Sequence, residues 1–157
     1  MARITKDAYY LNIAETVSKR STCLRRHYGA VIVKDDIIVA TGYNGSARGE
    51  ANCIDTGTCR REEMKIPHGE RYELCMAVHA EMNAIIQAGY EKTKNATLYL
   101  SGTDVAEEGM DTRIQKPRPC MMCWRFIKNA GIIKVVCGID DVLFTSEETE
   151  GAPDGTN

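Results

Sequence analysis

The sequence predicts a three-layer α/β fold, an α-β-α sandwich with helices on both faces of a mixed central sheet. Three observations carry this. Apolar patterns of helix and strand period follow one another in the order α-β-β-α-β-α-β. The first two strands are separated only by a turn, which makes them an antiparallel hairpin. The later strands alternate with helices, and crossover helices of β-α-β units cover the faces of a sheet.

Residues 5–19 read as a helix, with Thr5 as a capping type and Ala8, Leu11, Ile13, Ala14 and Val17 as its apolar stripe. Residues 29–33 are a short β-branched run, and residues 37–40 pair back across the Asp35-Asp36 turn. Residues 42–67 have no period and are rich in Gly, Asn, Arg and Cys. A loop of that length carries function or is held by something extra. Residues 78–89 read as a helix that buries Ala80, Ala84, Ile85 and Ala88 and stops at Gly89. A strand over 96–100 leads into a second long loop over 101–119. Residues 120–129 form a helix stopped by Gly131, and 132–138 form an apolar strand. From Glu147 the chain turns acidic with Gly and Pro. Residues 1–146 therefore read as a single domain and 147–157 as a flexible tail.

Length and composition agree with this. The 157 residues suit one domain with a single core. A net charge of -2 supplies no global basic field, so a nucleic-acid partner is not expected. The first residues carry no secretion pattern, and no run reaches the roughly 18 apolar residues of a membrane span. A cytoplasmic protein without membrane association is expected. Its seven cysteines are an odd number outside a secretory context, which argues for metal binding or chemistry over a disulfide framework.

Cysteine spacing then locates a site. Pro119-Cys120-Met121-Met122-Cys123 lies at a predicted helix start, and a spacing of three puts both sulfurs on one face of the first turn. The positive end of the helix favours thiolates, and Pro119 suits helix entry because it needs no N–H partner. His79 lies at the start of the other helix. One His and two Cys make three zinc ligands with the fourth position open, the catalytic form of such a site. Two thiolates offset the charge of Zn2+, so a water molecule there needs a base nearby. Glu81 supplies it without being a ligand. A closed structural zinc would need a fourth ligand in place of Glu81.

The pairing of His79-Ala80-Glu81 with Pro119-Cys120-x-x-Cys123 is the known signature of zinc deaminases. The chain resembles the cytidine and deoxycytidylate deaminase superfamily, and within it the bacterial deoxycytidylate (dCMP) deaminases. The resemblance runs from Ala14 to Gly138. It includes His27-Tyr28-Gly29-Ala30-Val31-Ile32, Gly42-Tyr43-Asn44-Gly45, the cysteine-containing loop and Val78-His79-Ala80-Glu81-Met82-Asn83-Ala84-Ile85. It implies a cytidine deaminase-like fold and a catalytic Zn2+ held by His79, Cys120 and Cys123. It also implies hydrolytic deamination of dCMP to dUMP, with Glu81 moving the protons.

Substrate contacts rest more on resemblance than on chemistry. Gly42 to Gly45 reads equally as a simple turn or as a ligand loop. The resemblance places Asn44 at the sugar and Arg26 near the phosphate, and Arg25 and Arg26 read equally as a solvated basic turn. Ala80, Glu70 and Tyr72 are further candidates for the pocket. Arg113, Lys116 and Arg118 form a second basic set that could clamp phosphate and reads by preference as surface charge. The resemblance also implies a homo-oligomer, a hexamer by preference. It implies activation by dCTP and inhibition by dTTP with Mg2+, acting at Gly42, Tyr43 and Gly45.

Cys23, Cys53, Cys59 and Cys75 remain near the first long loop. Four thiolates around a second, structural Zn2+ would order it, with His68 as the alternative ligand in place of Cys23. Cys137 reads as core packing. Three other functions share parts of the pattern: a deaminase of other cytosine nucleosides or nucleotides, a tRNA adenosine deaminase, and a non-catalytic zinc-stabilised nucleotide-binding module.

Overall fold

The computed structural model describes residues 2–105 and 112–145, so the expected tail and part of the 101–119 loop lie outside the described residues. A six-stranded mixed sheet forms the centre. Its strands are β1 (Arg26–Lys34), β2 (Ile37–Tyr43), β5 (Thr97–Asp104), β6 (Thr112–Arg113), β7 (Lys134–Gly138) and β8 (Asp141–Phe144). The order is β2-β1-β5-β7-β8, with the short β6 beside the end of β5. Only β5 and β7 are parallel; the other pairs are antiparallel.

Helix α1 (Lys6–Ser18) covers one face, where Leu11 and Ala14 pack with Val31, Tyr99 and Val136. Its start is capped as expected, with the Ala8 N–H donating to the Thr5 hydroxyl at 3.2 Å. Helices α4 (Ala80–Ala88) and α6 (Met121–Asn129) cover the other face. Ala84 and Ile127 pack there with Leu98, Leu100 and Val135, all of them fully buried. Burying each leucine side chain contributes about 2 kcal/mol, so this layer is the main source of stability.

Sequence expectation and structure differ at the strand ends. β1 starts at Arg26, three residues earlier than its apolar run, because pairing of Arg26 to Tyr28 with Gly102 to Asp104 extends the ladder. Arg26 therefore sits on a strand and not before it. β8 was not expected; it is only four residues long and pairs with β7 through a short turn. The first long loop contains the short helices α2 (Cys53–Thr56) and α3 (Arg60–Glu63) and a single 3-10 turn over Tyr72–Leu74. One short helix, α5 (Tyr90–Thr93), follows α4. Among the described residues no helix is long and apolar enough to cross a membrane.

Two glycines set how closely the helices approach. A Cβ on Gly29 would lie 2.0 Å from the Ala14 carbonyl oxygen of α1. A Cβ on Gly42 would lie 2.3 Å from the Ala80 carbonyl oxygen and 2.4 Å from the Ala84 nitrogen of α4. Both obstacles are backbone, so a side chain at 42 must move the first turns of α4. Gly42→Ala should lower stability by about 1–3 kcal/mol. It should also weaken metal retention, since that turn carries the residues described next. Denaturation midpoints and bound zinc check this; an unchanged midpoint with full zinc would refute the packing argument.

Candidate active site and metal centre

Both α4 and α6 lead into strands of the parallel pair, and each runs back along the strand that follows it. Their N-termini therefore meet at one edge of the sheet. His79 occupies the capping position of α4 with extended backbone, and its imidazole makes no cap bond. It turns instead to α6, where its Nδ1 lies 3.5 Å from Cys120 Sγ and 3.3 Å from Cys123 Sγ. All three donor atoms lie within 4.8 Å of one another. A tetrahedral zinc with ordinary Zn–N and Zn–S bonds requires about 3.6 Å between such atoms, so the three residues fit the ion.

Cys120 caps α6: the Cys123 backbone N–H donates to its sulfur at 3.4 Å. Its thiol is pushed down to about 4, first by the hydrogen bond from the Cys123 thiol, then by His79, against an opposing effect of burial. Cys123 moves the opposite way, since it keeps the proton Cys120 gives up and is itself buried. Their contact thus pushes the two thiols in opposite directions. A divalent cation held by both sulfurs would favour their ionised forms.

Glu81 lies one residue into α4 and is 4% exposed. Burial pushes its carboxyl up from the usual carboxylate range. A carboxyl poised in this way can both take and return a proton, as proton-transfer catalysis needs.

A small ladder brings the rest of the pocket to the metal ligands. β3 (Gly45–Ser46) pairs antiparallel with β4 (Ala77–Val78), which sets Asn44 opposite His79. The Asn83 amide donates to the Tyr43 carbonyl at 2.8 Å and ties α4 to the same segment. One pocket then holds His79, Ala80, Glu81 and Cys120 together with Asn44, Arg26 and Tyr72.

The sequence candidates fare differently within it. Asn44 is buried; its Oδ1 accepts from the Tyr28 N–H at 2.7 Å and its Nδ2 donates to the Arg26 carbonyl at 2.8 Å. One lone pair and one N–H of the amide stay open to a ligand. Arg26 lines the pocket, but its Nε pairs with Asp104 at 2.6 Å and its Nη1 bonds His68. Arg118, expected as surface charge, also lines the pocket and grips Asp141 through two bonds of 2.6 and 2.7 Å. That grip fixes the segment entering Cys120 onto β8.

Glu70 does not belong to the pocket wall. Its side chain is exposed, and its carbonyl accepts a hydrogen bond from Arg61. Gly42 and Gly45 are buried by close packing against α4 and Thr22, so Tyr43 alone of the three effector candidates is exposed. Cys23, Cys59, Cys75 and His68 line the pocket, and Cys53 starts α2. Burial first, and then the neighbouring cysteines, pushes the Cys53 and Cys75 thiols up. Among the described residues, only His79, Cys120 and Cys123 draw three donor atoms within 4.8 Å. The four spare cysteines are neighbours at a wider spacing, and all are free thiols.

Sequence reasoning missed three pocket residues, Tyr28, Arg61 and Ala77. Tyr28 lies within the His27 to Ile32 motif that carries part of the resemblance, without a role of its own there. Arg61 sits in the charged run Arg60-Arg61-Glu62-Glu63, which looks solvated, yet it is 6% exposed. Its burial has no signature in the sequence.

Comparison with known proteins bears on the same residues. The pattern described as the cytidine and deoxycytidylate deaminase zinc-binding region matches residues 4–139. The deoxycytidylate deaminase of Mycobacterium phage D29 is 38% identical over 141 residues, covering 87% of this chain and 96% of that protein. The deoxycytidylate deaminase of Schizosaccharomyces pombe is 37% identical over 131 residues. The chain spans only 36% of the length of that relative, and 38% of its Saccharomyces cerevisiae counterpart. Among solved structures, apo dCMP deaminase from cyanophage S-TIM5 aligns with a TM-score of 0.56 at 25% identity, over 85% of this chain and 82% of that one. With three donor residues brought together as a metal would need them and the family pattern matched over most of its length, the chain belongs to the cytidine and deoxycytidylate deaminase zinc-binding family.

Proposed function

We propose that this protein is a zinc-dependent deaminase that converts dCMP and water to dUMP and ammonia. The observation that carries the reading is the buried Glu81 carboxyl beside the His79, Cys120 and Cys123 donor set, inside a pocket whose wall is rich in arginine. The phage D29 relative, matched over nearly its whole length, supports dCMP as the substrate.

When bound, zinc supplies Lewis-acid activation of a water molecule. The protein's own groups do the rest. As water adds to C4 of the cytosine ring, Glu81 takes its proton and delivers it to N3. A second proton passes through the same carboxyl to the amino group, which departs as ammonia and leaves uracil. The two water hydrogens thus end on N3 and on ammonia. Burial of Glu81 keeps these transfers away from bulk solvent. Asn44, opposite His79, offers its remaining lone pair and N–H to the sugar.

Glu81→Gln should cut turnover by about 10²–10⁴-fold while zinc content stays near wild type. Uracil or ammonia release would be followed across dCMP, CMP, deoxycytidine and adenosine. A Glu81→Gln enzyme that keeps its activity overturns the assignment.

The same reading includes a second, structural zinc on Cys23, Cys53, Cys59 and Cys75. Support comes from four free thiols gathered around one loop that has little regular structure of its own. His68 is the weaker alternative, since it bonds Arg26. Metal analysis should return two zinc ions per chain; one per chain rejects the second site.

It also includes a homo-oligomer, a hexamer by preference, regulated by dCTP and dTTP with Mg2+. Ile86 on α4 and Met121 on α6 are 71% and 89% exposed, apolar surface that a second copy would cover. Light scattering with dCMP saturation curves tests both points together. A hexamer whose sigmoidal curve becomes hyperbolic with dCTP is expected. A monomer with hyperbolic kinetics and no response to either triphosphate rejects this part.

A further inference from the structure

We propose that Arg61 receives the anionic end of the substrate and so selects a nucleotide over a nucleoside. This rests on reading the pocket as that of a cytosine-nucleotide deaminase. Four arginines line the pocket: Arg25, Arg26, Arg61 and Arg118. Three of them are already neutralised. Arg25 pairs with Glu62 at 3.0 Å, Arg26 with Asp104 at 2.6 Å, and Arg118 with Asp141 at 2.6 Å. Arg61 has no carboxylate within ion-pair distance among the described residues, although it is the most buried of the four at 6% exposure. The Glu73 carboxylate feels its charge but bonds Arg71 instead.

The surroundings of Arg61 are those of a held cation without a carboxylate partner among the described residues, although the Cys75 thiol lies close enough to feel its charge. Its Nη2 donates to the Pro67 carbonyl at 3.0 Å and also to the Glu70 carbonyl. Its guanidinium lies over the Tyr72 ring, 4.6 Å from the centroid. These contacts fix the group and offset part of the cost of burying it. Its Nε is buried with no hydrogen-bond partner. A buried donor on an unpaired cation is costly, and an anionic oxygen there removes both the unmet bond and the unmet charge.

The placement suits a nucleotide. The Tyr72 ring that carries Arg61 on its face meets the His79 ring edge-on, with centroids 5.5 Å apart. One aromatic ring thus separates the cation from the metal ligand, a span that a nucleoside monophosphate covers between its base and its phosphate. Arg26, the sequence candidate for this role, would have to give up Asp104 first.

The test compares dCMP with deoxycytidine, which lacks the phosphate, in wild type, Arg61→Gln and Arg26→Gln. Arg61→Gln should lower kcat/KM for dCMP by roughly 30-fold or more, mainly through KM, and leave deoxycytidine within about threefold. Arg26→Gln should change that preference far less. Inorganic phosphate, titrated by calorimetry into zinc-loaded protein, should bind wild type and not Arg61→Gln. Equal losses on both substrates, or phosphate binding retained without Arg61, overturn the proposal. A wild type inactive on both substrates refutes the deaminase reading, while the phosphate titration still decides on Arg61. Should Arg61→Gln fail to fold, the wild-type Arg61 Nε–H resonance serves, identified by its loss in Arg61→Lys. A shift on adding phosphate supports the proposal, and a signal that stays in place rejects it.

Discussion

Parallel pairing of β5 with β7 is the constraint on which the site depends. Parallel neighbours cannot be joined by a tight turn, so α6 must cross over between them, as α4 crosses over before β5. Each helix runs back along its following strand, and two parallel strands give two helix starts at one edge. His79 and Cys120 occupy the capping positions of those starts. A capping residue has extended backbone, so its side chain is free to leave the helix end and meet its counterpart. A metal site at this edge follows the general rule for open α/β sheets, in which ligands gather beyond the carboxyl ends of parallel strands.

Close approach is the second requirement, and small residues provide it. α4 rests on Gly42 at a distance no side chain allows, and α1 rests on Gly29 from the opposite face. The alanines at 80, 84 and 88 continue the contact along α4. The layer that carries Glu81 and His79 is therefore set by backbone against backbone, which holds them more firmly than loop attachment would. Motif residues without side chains here serve geometry, and Gly42 is better explained by packing than by ligand contact.

Charge in the pocket is managed pair by pair. Acids from three different segments, Glu62, Asp104 and Asp141, neutralise three of its arginines. The Arg118–Asp141 pair also pins the approach to Cys120, so β8, which the apolar pattern did not reveal, takes part in building the site. The Cys120 and Cys123 thiols are pushed in opposite directions by their contact, Cys120 down and Cys123 up.

Local patterns made much of this legible. Helical and alternating periods set the order of the main elements, and the spacing of Cys120 and Cys123 with His79-Ala80-Glu81 pointed to the three donor residues that the structure brings together. Chemistry compressed into a few consecutive residues can be read in that way, because a helix start fixes its geometry locally. Partnerships across the chain could not. That Arg26 faces Asp104, that Arg118 holds Asp141, that Glu70 stays outside the pocket and that Arg61 is buried without a carboxylate partner among the described residues all depend on segments far apart in sequence. By itself, then, the sequence determined the layer order and the metal-binding motif, since both arise from neighbouring residues. Only the tertiary structure decided which cations are buried and which are paired, because burial and pairing are properties of packed segments.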